Sequence, residues 1–290
     1  MPDLPFVDTH VHFWDLEHPD LRYVWLEPGW IHPLLGDIRS IKTPLFGAEE
    51  IIAETRFANV SKFVHVQAAI GSEDPVDETH WLDAAAERTG VPAAIVGDCR
   101  LAADDAAAVL ERHAEASPRM RGIRDFGEGD YMNDPAWRRG YARLADYGWV
   151  CDLDCFWEGM ATARDLARAV PDVTLVLGHA GFPQARDDEY FANWRGGITT
   201  LAEADNAVCK ISGLGMKDER WTVDSLRPWV LHCIEAFGVE RCFFGTNWPV
   251  DRLYSSYGDV LSAYDAIIAD FSHDERVALF SGNAERVYRI

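Results

Sequence analysis

Eight short runs of β-type residues recur along the chain, and nearly all are separated by stretches of helical spacing. This alternation limits the fold more than any other feature. The runs fall at 6–10, 62–67, 93–97, 120–124, 149–154, 173–177, 207–211 and 242–245, and they are rich in Val, Ile, Phe and Cys. Several are apolar on both faces, as strands covered by helices must be. Helical spacing follows the runs, for example at 48–58, 78–88, 103–116, 135–147, 161–169 and 224–237. Eight strand–helix units predict a distorted (β/α)8 TIM barrel, one domain spanning 1–290. A doubly wound open sheet is the alternative. It would carry a glycine-rich turn after its first strand, where this chain has Asp8-Thr9-His10-Val11-His12. Two insertions interrupt the alternation. The first, 13–46, is aromatic and includes Trp14, Tyr23, Trp25 and Trp30. After a first barrel strand it would lie over the catalytic face, as a substrate wall or lid, or as a hydrophobic plug. The second is 213–221. The final stretch, 274–290, reads as helical and would close one end of the barrel.

Charge and cysteine usage narrow the class of partner. The formal net charge is -21, which disfavours nucleic acid and anionic membranes and requires a local Arg or Lys for any anionic substrate. The six cysteines form no CxxC pair, and several sit in apolar runs, so they read as buried, reduced thiols of a cytoplasmic protein. No signal peptide is expected from residues 1–7, and no apolar run reaches the length of a bilayer span. An anionic small-molecule substrate is expected, and a homo-oligomer is compatible with all of this.

Three segments carry chemistry. His10 and His12, two apart at the end of the first run, would point to one side and could grip a divalent cation through neutral imidazole nitrogens. Asp8 could fix a ring tautomer from behind. His179, in Gly178-His179-Ala180-Gly181, ends the sixth run and would share their rim, because barrel active sites gather at the C-terminal ends of the strands. The third segment is Phe244-Gly245-Thr246-Asn247-Trp248-Pro249-Val250-Asp251, which ends the eighth run.

Together with Gly282-Asn283-Ala284-Glu285-Arg286, these segments resemble the amidohydrolase superfamily, and within it the lactonase-containing "amidohydrolase 2" branch of metal-dependent hydrolases. The resemblance spans nearly the whole chain. It implies His10, His12 and His179 as ligands of one divalent metal, zinc or manganese, although some lactonase relatives work without any. It also implies that Arg124 and Lys210 contact substrate oxygens, with Trp248 beside them. Asn247 falls where the superfamily has its aspartate base, and an amide cannot accept a proton from water at neutral pH. The fifth-strand histidine and the fourth-strand lysine of two-metal members are missing, so a two-metal site is not expected. Asp251, four residues beyond Asn247, and Asp152, inside an apolar strand, are the candidates to replace the base. Ordinary readings compete: a salt bridge to Arg252 for Asp251, and a bond to Lys210 or Arg124 for Asp152. His65 is expected to be a satisfied core histidine, and Gln67 shares its face. His18, His32, His80, His113, His232 and His273 receive no role.

The expected activity is hydrolysis of a small cyclic ester, or a related C–O or C–N bond, in a carboxylated or sugar-derived substrate. Metal-dependent decarboxylation of an aromatic or unsaturated acid is one alternative. A catalytically inactive barrel kept for ligand binding is the other.

Overall fold

Parallel neighbours need a crossover long enough for a helix, and the spacing of the eight runs provides it. The structure, a computed structural model, describes residues 3–31, 35–127 and 129–290. His32 lies outside these, as do 33–34 of the aromatic insertion. The barrel strands are β1 (Phe6–Val11), β2 (Val60–Val66), β3 (Ala94–Asp98), β4 (Met120–Arg124), β5 (Val150–Leu153), β6 (Leu175–Leu177), β7 (Ala207–Ile211) and β8 (Cys242–Phe244). All pair in parallel and in sequence order. A single parallel bridge between Val11 and Trp248 brings the two ends together. His12 N donates to Trp248 O at 2.8 Å and Trp248 N to His10 O at 3.2 Å across that seam.

Side chains clasp the same seam. The Asp8 carboxylate accepts from Thr246 N at 2.9 Å, from the Thr246 hydroxyl and from Tyr257 OH at 2.9 Å. Thr9 Oγ1 donates to Phe244 O at 2.7 Å. Asp8 therefore ties β1 to the end of β8 and touches His10 through its backbone N–H at 3.2 Å, not through the ring. That corrects the expected tautomer-fixing role: a carboxylate filled by four donors at the seam is already committed.

The helices are α1 (Ala48–Glu54), α2 (Val76–Thr89), α3 (Ala106–Ala116), α4 (Pro135–Tyr147), α5 (Met160–Ala169), α6 (Asp188–Ala202), α7 (Val223–Phe237), α8 (Tyr257–Ile267), α9 (His273–Val277) and α10 (Asn283–Tyr288). Caps explain several boundaries. Asp134 accepts from Ala136 N ahead of Pro135, and Ser256 and Ser272 form capping boxes at α8 and α9. Inside the barrel, Val7, Val64, Val66, Ala94, Val96, Val150, Val176, Val208 and Phe243 pack into one cluster that Tyr288 of α10 enters. Alternate residues of the strands build this interior, while the others join the larger core shared with the helices. Tyr288 is fully buried, so the last helix does close one end. No helix among the described residues is long and apolar enough to cross a membrane.

The aromatic insertion divides between core and cavity. Trp14 pairs with Phe46 in a two-residue antiparallel ladder and is buried with Phe13 and Tyr23. Trp25 and Trp30 instead face the cavity described next.

Candidate active site

His10, His12 and His179 meet at the C-terminal mouth of the barrel. His10 Nε2 and His12 Nε2 are 3.1 Å apart, and the His10 and His179 ring centroids are 4.2 Å apart. His12 Nδ1 sits 2.9 Å from Val66 O, so that nitrogen carries the proton and Nε2 keeps its lone pair. His179 Nδ1 sits 2.9 Å from Ser212 Oγ, at the end of β7. Burial is the first cause holding all three imidazoles well below the ordinary histidine range. His179 and Lys210 add to it for His10, and Arg124 for His12 and His179. The rings are neutral at pH 7, the form that polarises a carbonyl or ligates a metal.

Backbone strain gathers at the same place. His179, Ala180, Phe182 and Asn247 all have positive φ. Non-glycine residues in this region cost of order 1 kcal/mol or more each and persist only where their surroundings enforce them. Trp194 Nε1 donates to Ala180 O at 2.8 Å and pins that turn. Gly213, at φ +60°, makes room beside it, since a Cβ there would lie 2.5 Å from His179 Nδ1.

The mouth opens into a cavity of about 440 Å³, large enough for a small ring. His12, His179, Gln67, Arg124, Asp154 and Asn247 supply its polar wall, and Trp25, Trp30, Phe126, Phe156, Phe182 and Met216 much of its apolar wall. Arg124 Nε donates to Asp154 Oδ2 at 3.1 Å, and the guanidinium also lies 4.5 Å from the Phe126 ring centroid. Asp154 is the one carboxylate in the lining among the described residues. Burial pushes its carboxyl up, against the pull of Arg124.

Four sequence expectations shift. Lys210 does not line the cavity: its Nζ bonds Asp152 Oδ2 at 2.8 Å, and both are buried inside the barrel. Asp152 also accepts from Tyr288 OH at 3.2 Å, is buried, and is not among the residues that line the cavity. Asp251 is buried against Asn247, whose Nδ2 donates to Asp251 Oδ1 at 2.8 Å. The expected Asp251–Arg252 bridge is absent among the described residues; Arg252 pairs with Glu54. Trp248 turns away from the cavity and packs edge-on against Tyr257, 5.3 Å between centroids. The backbone pairing with β1 points it into the core, away from the substrate contact expected of it. Sequence alone does not single out Asp154, because nothing in Asp152-Leu153-Asp154 tells which carboxylate faces the opening. The short β5 ends at Leu153, which frees Asp154 to do so. His65 bonds Glu78 at 3.2 Å and accepts from Phe13 N at 3.3 Å.

The imidazole pair fits two positions of a one-metal site, with Nε2 atoms at a shared edge. The rest of such a site is less complete. Among the described residues no three His, Cys, Asp or Glu side chains are arranged to hold one ion, and His10 Nδ1 is buried without a partner.

A closed parallel barrel with neutral imidazoles and an arginine–carboxylate pair at its C-terminal mouth defines an enzyme of the TIM-barrel type. The chain belongs to the amidohydrolase family, whose sequence profile matches residues 7–290, and it is a hydrolase of that type. It is 38% identical to the uncharacterized protein y4mH of Sinorhizobium fredii over the full length of both. It is 32% identical to an L-fucono-1,5-lactonase of Burkholderia multivorans, covering 98% of this chain and 96% of that one. An amidohydrolase structure from the same species with bound zinc superposes with a TM-score of 0.84 at 28% identity, covering 98% and 99% of the two chains.

Proposed function

We propose that this hydrolase opens the ring of a small lactone, with His10, His12 and His179 at the reacting end of the cavity. The observation that carries this reading is the placement of His12, His179, Arg124 and Asp154 around one small, mostly apolar chamber. The similarity to an L-fucono-1,5-lactonase supports the substrate class.

Ring opening needs a base for water, a cation for the developing oxyanion and a proton for the leaving oxygen. Asp154, raised by burial, takes a proton from water at the acyl carbon. Arg124 holds the oxyanion that forms as the C–O bond is made. When the tetrahedral species collapses, the ring C–O bond breaks and the proton on Asp154 passes to the leaving alkoxide. The product is the open hydroxy acid. Lys210, buried below with Asp152, adds positive charge under the histidines and helps keep them neutral. A divalent zinc or manganese ion, if bound, would rest on His10 and His12 with His179 and Asn247 adjacent, and would polarise the same carbonyl.

The test is a panel of five- and six-membered lactones followed by proton release, run beside carboxylated aromatics followed by released carbon dioxide. Lactone turnover without carbon dioxide supports the reading. Carbon dioxide release alone would replace it with the decarboxylase alternative, and no turnover of either would favour the binding-only barrel.

A further inference from the structure

Gln67 is bonded through its backbone and left unbonded through its side chain. Its N–H donates to Val96 O at 2.8 Å. The preceding carbonyl, Val66 O, meets His12 Nδ1 at 2.9 Å. The next two N–H groups, of Ala68 and Ala69, donate to the buried Glu78 carboxylate at 2.9 and 3.0 Å. Ala68 O accepts from Trp25 Nε1 at 2.8 Å. The segment is therefore fixed on every side. Yet Gln67 is 1% exposed, and both its Oε1 and Nε2 lack any hydrogen-bond partner in the protein. Gln67 is among the residues that line the cavity.

A buried amide with neither half paired is expensive, and native proteins rarely keep one. An amide that a rigid frame aims into a cavity presents an acceptor and a donor side by side. Its complement is a ligand edge offering a donor and an acceptor side by side, and a vicinal pair of hydroxyls is such an edge. We infer that Gln67 is a specificity-determining residue that binds a vicinal diol on the ring of the substrate. This rests on the lactonase reading and narrows it to hydroxylated rings.

The experiment compares wild type with Gln67→Leu, close in volume but unable to hydrogen-bond. Substrates are a polyhydroxylated 1,5-lactone and δ-valerolactone, the same ring without hydroxyls. A site built to bond hydroxyls penalises their loss heavily. Gln67→Leu is expected to reduce kcat/KM on the hydroxylated ring at least about tenfold more than on the bare ring, mostly through KM. Its Tm should not fall below that of wild type, because no bond within the protein is lost. Equal losses on both rings, or no loss on the hydroxylated one, would overturn the assignment. If wild type opens neither ring, the lactonase reading fails by itself. The role of Gln67 is then decided by calorimetric titration with 1,5-anhydro-D-glucitol, a hydroxylated ring that cannot react. Binding by wild type weakened about tenfold or more in Gln67→Leu sustains it; no binding, or equal binding, overturns it.

Discussion

At the scale of single residues, the site divides into groups that touch the cavity and groups that hold those in place. Asp154 belongs to the first and Asp251, bonded to Asn247, to the second, while Asp152 pairs with Lys210 inside the barrel. Asp154→Asn keeps the shape and an acceptor for Arg124 but loses the base. The expected outcome is a fall in kcat of about 10²–10⁴-fold with little change in KM, read from steady-state kinetics on the best lactone. Asp251 supports a stability prediction instead. Burial lifts its carboxyl to about 7 in the folded protein, from an ordinary value of 3.8. Between those values the folded state keeps a proton that the unfolded state has lost. The associated stability is therefore full below about pH 4 and is lost as pH rises through 7. Asp251→Asn removes this dependence, so its Tm should decline less than that of wild type between pH 5 and pH 8; parallel Tm–pH curves would contradict the shift. The three histidines were legible from sequence because each ends a strand-like run beside small residues. Asp154 and Gln67 were not, because their roles depend on where β5 and β2 end, and periodicity does not fix strand ends to a residue.

At the scale of elements, the strands hold two devices that can be broken one at a time. The Lys210–Asp152 pair joins β7 to β5 inside the barrel with no exposure. Removing one partner strands the other charge in the core. Lys210→Met should therefore cost about 3 kcal/mol in urea unfolding, and adding Asp152→Leu should recover much of it. The second device is the turn after β6. Gly213→Ala forces a Cβ toward His179 Nδ1 at a backbone angle suited to glycine. It should cost about 1–2 kcal/mol of stability but about 10²-fold in kcat, since the histidine must shift. A stability loss without a kinetic one would mean that His179 has slack. Every barrel strand could be read from the alternation of apolar runs, while the short ladder of Trp14 with Phe46 could not. The pairing of Lys210 with Asp152 could only be offered among alternatives, because both residues sit at lumen-facing positions whose depth a sequence does not state.

At the scale of the whole molecule, one barrel gathers residues 12, 67, 124, 154 and 179 from five different strand ends around one chamber, with His10 packed against His12 and His179, while α10 seals the opposite end with Tyr288. The fold was legible because eight repeats of one pattern leave few topologies. The substrate wall was only partly so: Trp25 and Trp30 reach the cavity while Trp14 and Trp248 are core, a division set by long-range packing. Against a net charge of -21, Arg124 is the one cationic side chain lining the chamber among the described residues. The most direct test of the whole account is the lactone-opening rate of His179→Ala against wild type, at equal folded content by circular dichroism. Turnover by wild type that falls to the uncatalysed background in the variant is the predicted result; a variant that opens lactones at the wild-type rate would contradict it.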